Sequence, residues 1–107
     1  MKPSAPDLTF KQLRAANTDR LWGIHHDDKW SPNDWAVATA GELGEALNKL
    51  KKLRRGENIP GREVAEELAD TVIYLDLLAA SLGIDLEDAV RLKFNKVSER
   101  YGVKVRL

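Results

Sequence analysis

Four carboxylates stand out as groups able to do chemistry. Glu42 and Glu45 lie three apart, and Glu67 and Asp70 repeat that interval further on. Side chains three apart on a helix project from one face, so each pair would form a two-pronged acidic clamp. If the helices bearing them pack antiparallel, the two clamps face one another. Carboxylates gathered in a partly dry groove repel, because burial and like charge both oppose ionisation. Hard divalent cations supply the compensating charge, and Mg²⁺ suits best because it keeps water in part of its shell, with Mn²⁺ as the alternative ion. Such a site leaves coordination open for phosphate oxygens, as phosphoryl chemistry requires.

The punctuation of the chain puts both pairs on helices. Ser31-Pro32 is a strong opening: Ser accepts from the free amides of a first turn, Pro suits that turn, and Asp34 favours its positive end. The helix that follows is expected to reach about Arg55 and stop at Gly56. The stretch Gly56 to Gly61, with Asn58 and Pro60, reads as a turn. A third helix is expected from Arg62 to Leu82 with Gly83 as its stop, and a fourth, capped by Asp85, to about Tyr101 and Gly102. Ahead of these, a first helix is expected from about Leu8 to Trp22, with Asp7 at its cap, Phe10, Leu13 and Leu21 on its apolar side, and Gly23 at its end. Ile24 to Lys29, including His25 and His26, reads as a polar loop, and Val103 to Leu107 as an extended arm. Short connections favour antiparallel neighbours in a single all-α domain over residues 1–107.

Composition narrows the class. A chain of 107 residues holds one modest core, and 43% hydrophobic residues is ordinary for a globular protein. The opening MKPSAPDLTF lacks the apolar stretch of a secretory signal, and no run approaches membrane-spanning length, so a cytoplasmic location is expected. No cysteine is present, which excludes disulfides and thiolate metal sites. Zero formal net charge argues against general nucleic-acid binding. The charge is nevertheless partitioned: residues 49–62 are basic, 63–90 carry no Lys or Arg, and Arg91, Lys93, Lys96 and Arg100 follow. From Val72 to Leu82 nearly every position is apolar, more than one short chain can cover, which predicts a homodimer or homotetramer. Gly41 and Gly44 lie inside the second helix, each costing on the order of 1 kcal/mol against Ala, and predict close approach of a helix or ligand. Lys49 and Lys52 continue the face of Glu42 and Glu45, within reach of phosphates. No Ser, Cys or His nucleophile arrangement appears, and the ExxH of a di-iron bundle is absent.

The segments Gly41-Glu42-Leu43-Gly44-Glu45 and Glu66-Glu67-Leu68-Ala69-Asp70 resemble the ExxE…ExxD signature of the MazG-like nucleoside triphosphate pyrophosphohydrolases. The resemblance runs from about Trp30 to Tyr101 and takes in Leu75-Asp76-Leu77-Leu78, Leu82-Gly83-Ile84-Asp85-Leu86 and Lys93-Phe94-Asn95-Lys96. It implies a four-helix MazG-like bundle completed by homo-oligomerisation, with Glu42, Glu45, Glu67 and Asp70 as Mg²⁺ ligands. It also implies that Tyr74 lines a nucleotide pocket and that Lys93, Asn95 and Lys96 contact sugar or phosphate. Trp35 is then placed to stack on the base, with Trp30 and His26 as looser matches. The implied reaction is hydrolysis of a (deoxy)nucleoside triphosphate to monophosphate and pyrophosphate. Water would attack the α-phosphorus, oriented by Glu42 or, nearly as well, Glu45. Two alternatives stand beside it: phosphoribosyl-ATP as the substrate, or a non-catalytic helical module whose acidic cluster only confers solubility.

Overall fold

Thr9, rather than Asp7, caps the first helix. The Thr9 hydroxyl accepts from the Gln12 amide at 3.1 Å, and the Gln12 side chain accepts from the Thr9 amide at 2.9 Å. This reciprocal box satisfies two amides that the first turn leaves free, which the lone Asp7 carboxylate does not do. Helix α1 spans Phe10–Ile24, so Gly23 lies within it instead of ending it. A computed structural model describes residues 7–24 and 30–107; His25, His26 and the side chain of Trp22 lie outside what it describes.

Helix α2 spans Pro32–Arg54. Its start follows the sequence signal: Ser31 accepts from the Asp34 amide at 3.3 Å and Asp34 accepts from the Ser31 amide at 2.8 Å. Beyond its end, Gly56 adopts φ +89°, a left-handed turn that a side chain would strain. Helix α3 spans Gly61–Ser81 after Pro60, and α4 spans Leu86–Arg100, capped by Asp85 accepting from the Asp88 amide at 3.2 Å. The arm after Gly102 has no regular structure, and its end is tied back by paired hydrogen bonds between Asn95 and Leu107.

Helices α2 and α3 form an antiparallel hairpin. Trp35 meets Tyr74 at one end (ring centroids 6.1 Å apart), and Lys49 meets Glu67 at the other (2.9 Å). Helix α1 lies against α3, where Asn17 donates to the Ile73 carbonyl at 3.1 Å, and α4 rests on α1. Among the described residues the buried apolar ones are few: Trp35, Ala46 and Ala79. Leu68, Val72 and Leu75 of α3 and Leu82 just after it remain exposed, as do Leu92 and Phe94 of α4. The radius of gyration is 16.7 Å, where a compact chain of this length has about 13 Å. The accessible surface is 8347 Å², against roughly 6,000 Å² for a folded monomer of this mass. Among the described residues no helix is long and apolar enough to cross a membrane.

Inside the apolar stretch of α3 the fully buried residue is the charged one. Asp76 has no exposed surface. Arg14 Nε donates to both of its oxygens, at 3.1 and 3.2 Å, and Asn17 Nδ2 donates to Oδ2 at 3.1 Å. The guanidinium also reaches the Ile84 carbonyl through Nη2 at 2.9 Å, so one side chain ties α1 to α3 and to the turn before α4.

Candidate active site

The antiparallel hairpin turns one acidic pair toward the other. Oxygens of Glu42, Glu67 and Asp70 lie within 4.8 Å of one another, so one ion could be held by all three. Glu42 and Glu67 are half-buried and Asp70 is exposed. Glu67 sits at the centre of the charge. Its Oε1 accepts from Lys49 Nζ at 2.9 Å, while its Oε2 is buried with no donor among the described residues. A buried carboxylate oxygen left without a donor is unfavourable, and a cation at that position would satisfy it. The donor set, oxygen only and acidic, fits a hard divalent ion.

Proton affinities separate across the cluster. Glu42 is held above its ordinary value of 4.5 by burial and then by the negative charges of Asp70 and Glu67. Glu45 is exposed and outside the set of three, yet it also lies above 4.5, chiefly because it can share a proton with Glu67. Glu67 lies below 4.5, first through the hydrogen bond from Lys49 and then through the proton that Glu45 can share with it when protonated. Lys49 is raised above its ordinary value by the same bond to Glu67. Glu67 therefore keeps its charge more firmly than Glu42 and Glu45, which take up protons more readily.

Next to the cluster is a cavity of about 160 Å³. Trp30, Trp35 and Tyr74 supply its aromatic walls: the two indoles sit 4.6 Å apart by centroid and are tilted by 57°. Asp70 lines this cavity as well as joining the carboxylates, so the two features are continuous. Tyr74 reaches it because it stands one turn beyond Asp70 on the same face of α3. The opposite wall comes from α1, through Asn17, Arg20 and Leu21.

Of the residues singled out in the sequence, Glu42, Glu67, Asp70, Lys49, Trp35, Tyr74 and Trp30 come together here, with Glu45 at the edge. Lys52 is half-buried on α2 and makes no ion pair with a described residue. Lys93 and Lys96 are exposed on α4, and neither lines the cavity. Asn95 donates to the Leu107 carbonyl at 3.2 Å and accepts from the Leu107 amide at 2.8 Å, so its amide is engaged by the C-terminal arm. Gly41 and Gly44 have nothing within 4 Å of where a Cβ would stand, so the close approach expected of them is not made within this chain. The α1 wall and the Arg14–Asp76 pair are additions from the structure. Their signals were faint: an Asn interrupting the Phe10, Leu13, Leu21 stripe, and a single acid in an apolar run.

The fold and site define an all-helical protein with facing carboxylate pairs on an antiparallel hairpin. Residues 31–103, which contain all four carboxylates, match the MazG nucleotide pyrophosphohydrolase domain, and the chain belongs to that family. It is similar to dCTP pyrophosphatase 1 of Mus musculus, with 29% identity over 112 positions covering 92% of this chain and 62% of the relative. Similarity to dCTP pyrophosphatase 1 of Homo sapiens is 32% over 108 positions, covering 91% and 61%. The chain thus spans about three fifths of the length of these curated relatives.

Proposed function

We propose that this chain hydrolyses a (deoxy)nucleoside triphosphate to its monophosphate and pyrophosphate, in a reaction that depends on Mg²⁺, with Mn²⁺ as a substitute. The observation that carries the proposal is the buried, donor-free Glu67 Oε2 among three converging carboxylates, beside an aromatic cavity. Glu42, Glu67 and Asp70 are the residues that would hold the ion, with Glu45 joining by a rotation of its exposed side chain. Once bound, Mg²⁺ supplies charge neutralisation for the triphosphate and a more acidic water. Glu42, whose raised proton affinity suits a general base, orients the attacking water and accepts its proton; Glu45 is the second choice. Lys49 and Lys52 offset phosphate charge on the leaving side. Trp35 and Tyr74, with Trp30 beside them, take the base, and the relatives make dCTP the first substrate to try.

The same reading includes one domain over residues 1–107, a cytoplasmic location and a homo-oligomer, dimer or tetramer. Support for the oligomer comes from the apolar side chains left exposed on two helices, Leu68, Val72 and Leu75 of α3 and Leu92 and Phe94 of α4, which a second copy would cover. Contacts of Lys93, Asn95 and Lys96 with the substrate belong to that assembled form.

The test is pyrophosphate release from a panel of ribo- and deoxynucleoside triphosphates with and without Mg²⁺. Metal-dependent release with an equimolar monophosphate is expected, and Glu67→Gln should reduce it by more than the roughly 10–100-fold of an outer-shell loss. Release that persists in Glu67→Gln would remove this cluster from the chemistry. Silence from folded protein that binds Mg²⁺ would redirect the search to phosphoribosyl-ATP. Silence without Mg²⁺ binding would leave the non-catalytic module.

A further inference from the structure

Asn17 is 3% exposed, yet it lines the aromatic cavity. Its Nδ2 donates to the Ile73 carbonyl and to Asp76 Oδ2, both at 3.1 Å. An amide nitrogen has two protons, and both are committed. The orientation is also fixed: turning the amide over would set Oδ1 against a carbonyl and a carboxylate, two acceptors. Asp76 cannot relax to allow this, because Arg14 holds both of its oxygens while anchored on the Ile84 carbonyl. What Asn17 has left for the cavity is therefore its carbonyl oxygen, and no described residue donates to it.

The indoles and Tyr74 give stacking surfaces, which accept any base because every base has a π-face. Discrimination must come from a polar atom. A rigid acceptor favours a ring that carries an amino group and repels one that carries an oxygen at the same position. Cytosine and uracil or thymine differ in this way, N4 being a donor and O4 an acceptor. The cavity, about 160 Å³, is smaller than the ~300–1,000 Å³ of sites that enclose whole ligands, and suits a single ring. Because Asp70 borders both features, a base seated there leaves its phosphates beside the carboxylates.

We propose that Asn17 is the specificity-determining residue of this site. Its Oδ1 accepts from the exocyclic amino group of a 4-aminopyrimidine, and Asp76 and Arg14 act as positioning residues that lock its orientation. This rests on the nucleotide hydrolysis proposed above.

The test compares kcat/KM for dCTP and dUTP, which differ at this position, in wild type, Asn17→Leu and Asp76→Asn, with folding checked by thermal melts. Wild type should favour dCTP by roughly 10–100-fold, the discrimination of one good base contact. Asn17→Leu should bring the ratio near one, mainly through loss with dCTP. Asp76→Asn keeps the size of the side chain but puts a possible donor in place of one of the two acceptors facing the Asn17 amide, leaving only the Ile73 carbonyl to hold its orientation, so the lock is weakened. The ratio should then move toward dUTP, where a purely structural Asp76 would lower both substrates alike. Should Asn17→Leu not fold, Asp76→Asn decides. Wild-type hydrolysis without preference for dCTP, or an unchanged ratio in the folded variants, overturns the assignment and leaves the proposed reaction standing. Absence of any triphosphate hydrolysis overturns both.

Discussion

Removing the Arg14 guanidinium should be the most damaging surface-accessible truncation in this chain. Arg14→Ala leaves Asp76 fully buried with Asn17 as its remaining donor and strips the Ile84 carbonyl of its partner. Breaking a buried ion pair from one side costs about 3–5 kcal/mol, since the surviving charge is left buried without its counter-charge. The Arg14 side chain is 28% exposed, so some water enters and the lower end, about 3 kcal/mol, is expected. Against total stabilities of roughly 5–15 kcal/mol that is a large share. In urea, with a slope near ~1.5 kcal/mol/M, the midpoint should fall by about 2 M at fixed protein concentration. The control is Arg55→Ala. Arg55 and Glu57 are closer, at 2.8 Å, but half-exposed, so that loss should stay below about 1 kcal/mol. The double variant Arg14→Ala/Asp76→Leu should recover most of the stability by removing both charges. A midpoint for Arg14→Ala indistinguishable from that of Arg55→Ala would refute the reasoning, and with it the lock behind Asn17.

Three further outcomes follow from the site. Lys49→Met removes the cation now paired with Glu67, so Mg²⁺ should bind several-fold more tightly by calorimetry; weaker binding would show that Lys49 helps form the site. In the metal-free protein, Glu42 and Glu45 have folded values above 4.5, so the folded state holds more protons than the unfolded one between those values and 4.5. Their contribution to stability therefore grows as pH falls through those raised folded values toward 4.5. Glu67 has the opposite sign: its contribution is present above 4.5 and lost only as pH falls through its lower folded value. Melts at pH 7 to 5 should thus shift upward without metal, whereas the increment added by Mg²⁺ should shrink over that range as protons compete; a metal increment that grows on acidification would contradict this. Light scattering should give a mass that is a multiple of 12.0 kDa, and Leu92→Asp on exposed α4 should reduce it; a monomer in the wild type would refute the oligomer.

Much of the site was legible before any coordinates because its signals are local. Ser31 and Asp34 mark the start of α2, Gly56 its end, and the three-residue spacings put Glu42 with Glu45 and Glu67 with Asp70 on common helix faces; each depends on only a turn or two of backbone. The family followed from the same segments. What lay beyond local periodicity went unread. Thr9 and Asp7 are both sound caps by type, and only the observed partner, Gln12, separates them. Glu42 and Glu45 are equivalent by spacing, but the crossing of α2 over α3 brings Glu42 within 4.8 Å of Glu67 and Asp70 and leaves Glu45 at the rim. By sequence Asp76 is a single acid in an apolar run, and Asn17 a polar break in an amphipathic helix. Each is buried because the other, with Arg14, satisfies it across some sixty residues of sequence. Residue type and period thus determined which elements form and which side chains share a face. Tertiary packing alone decided which faces meet, and therefore which carboxylate is desolvated, which is paired, and which polar atom is left for a ligand.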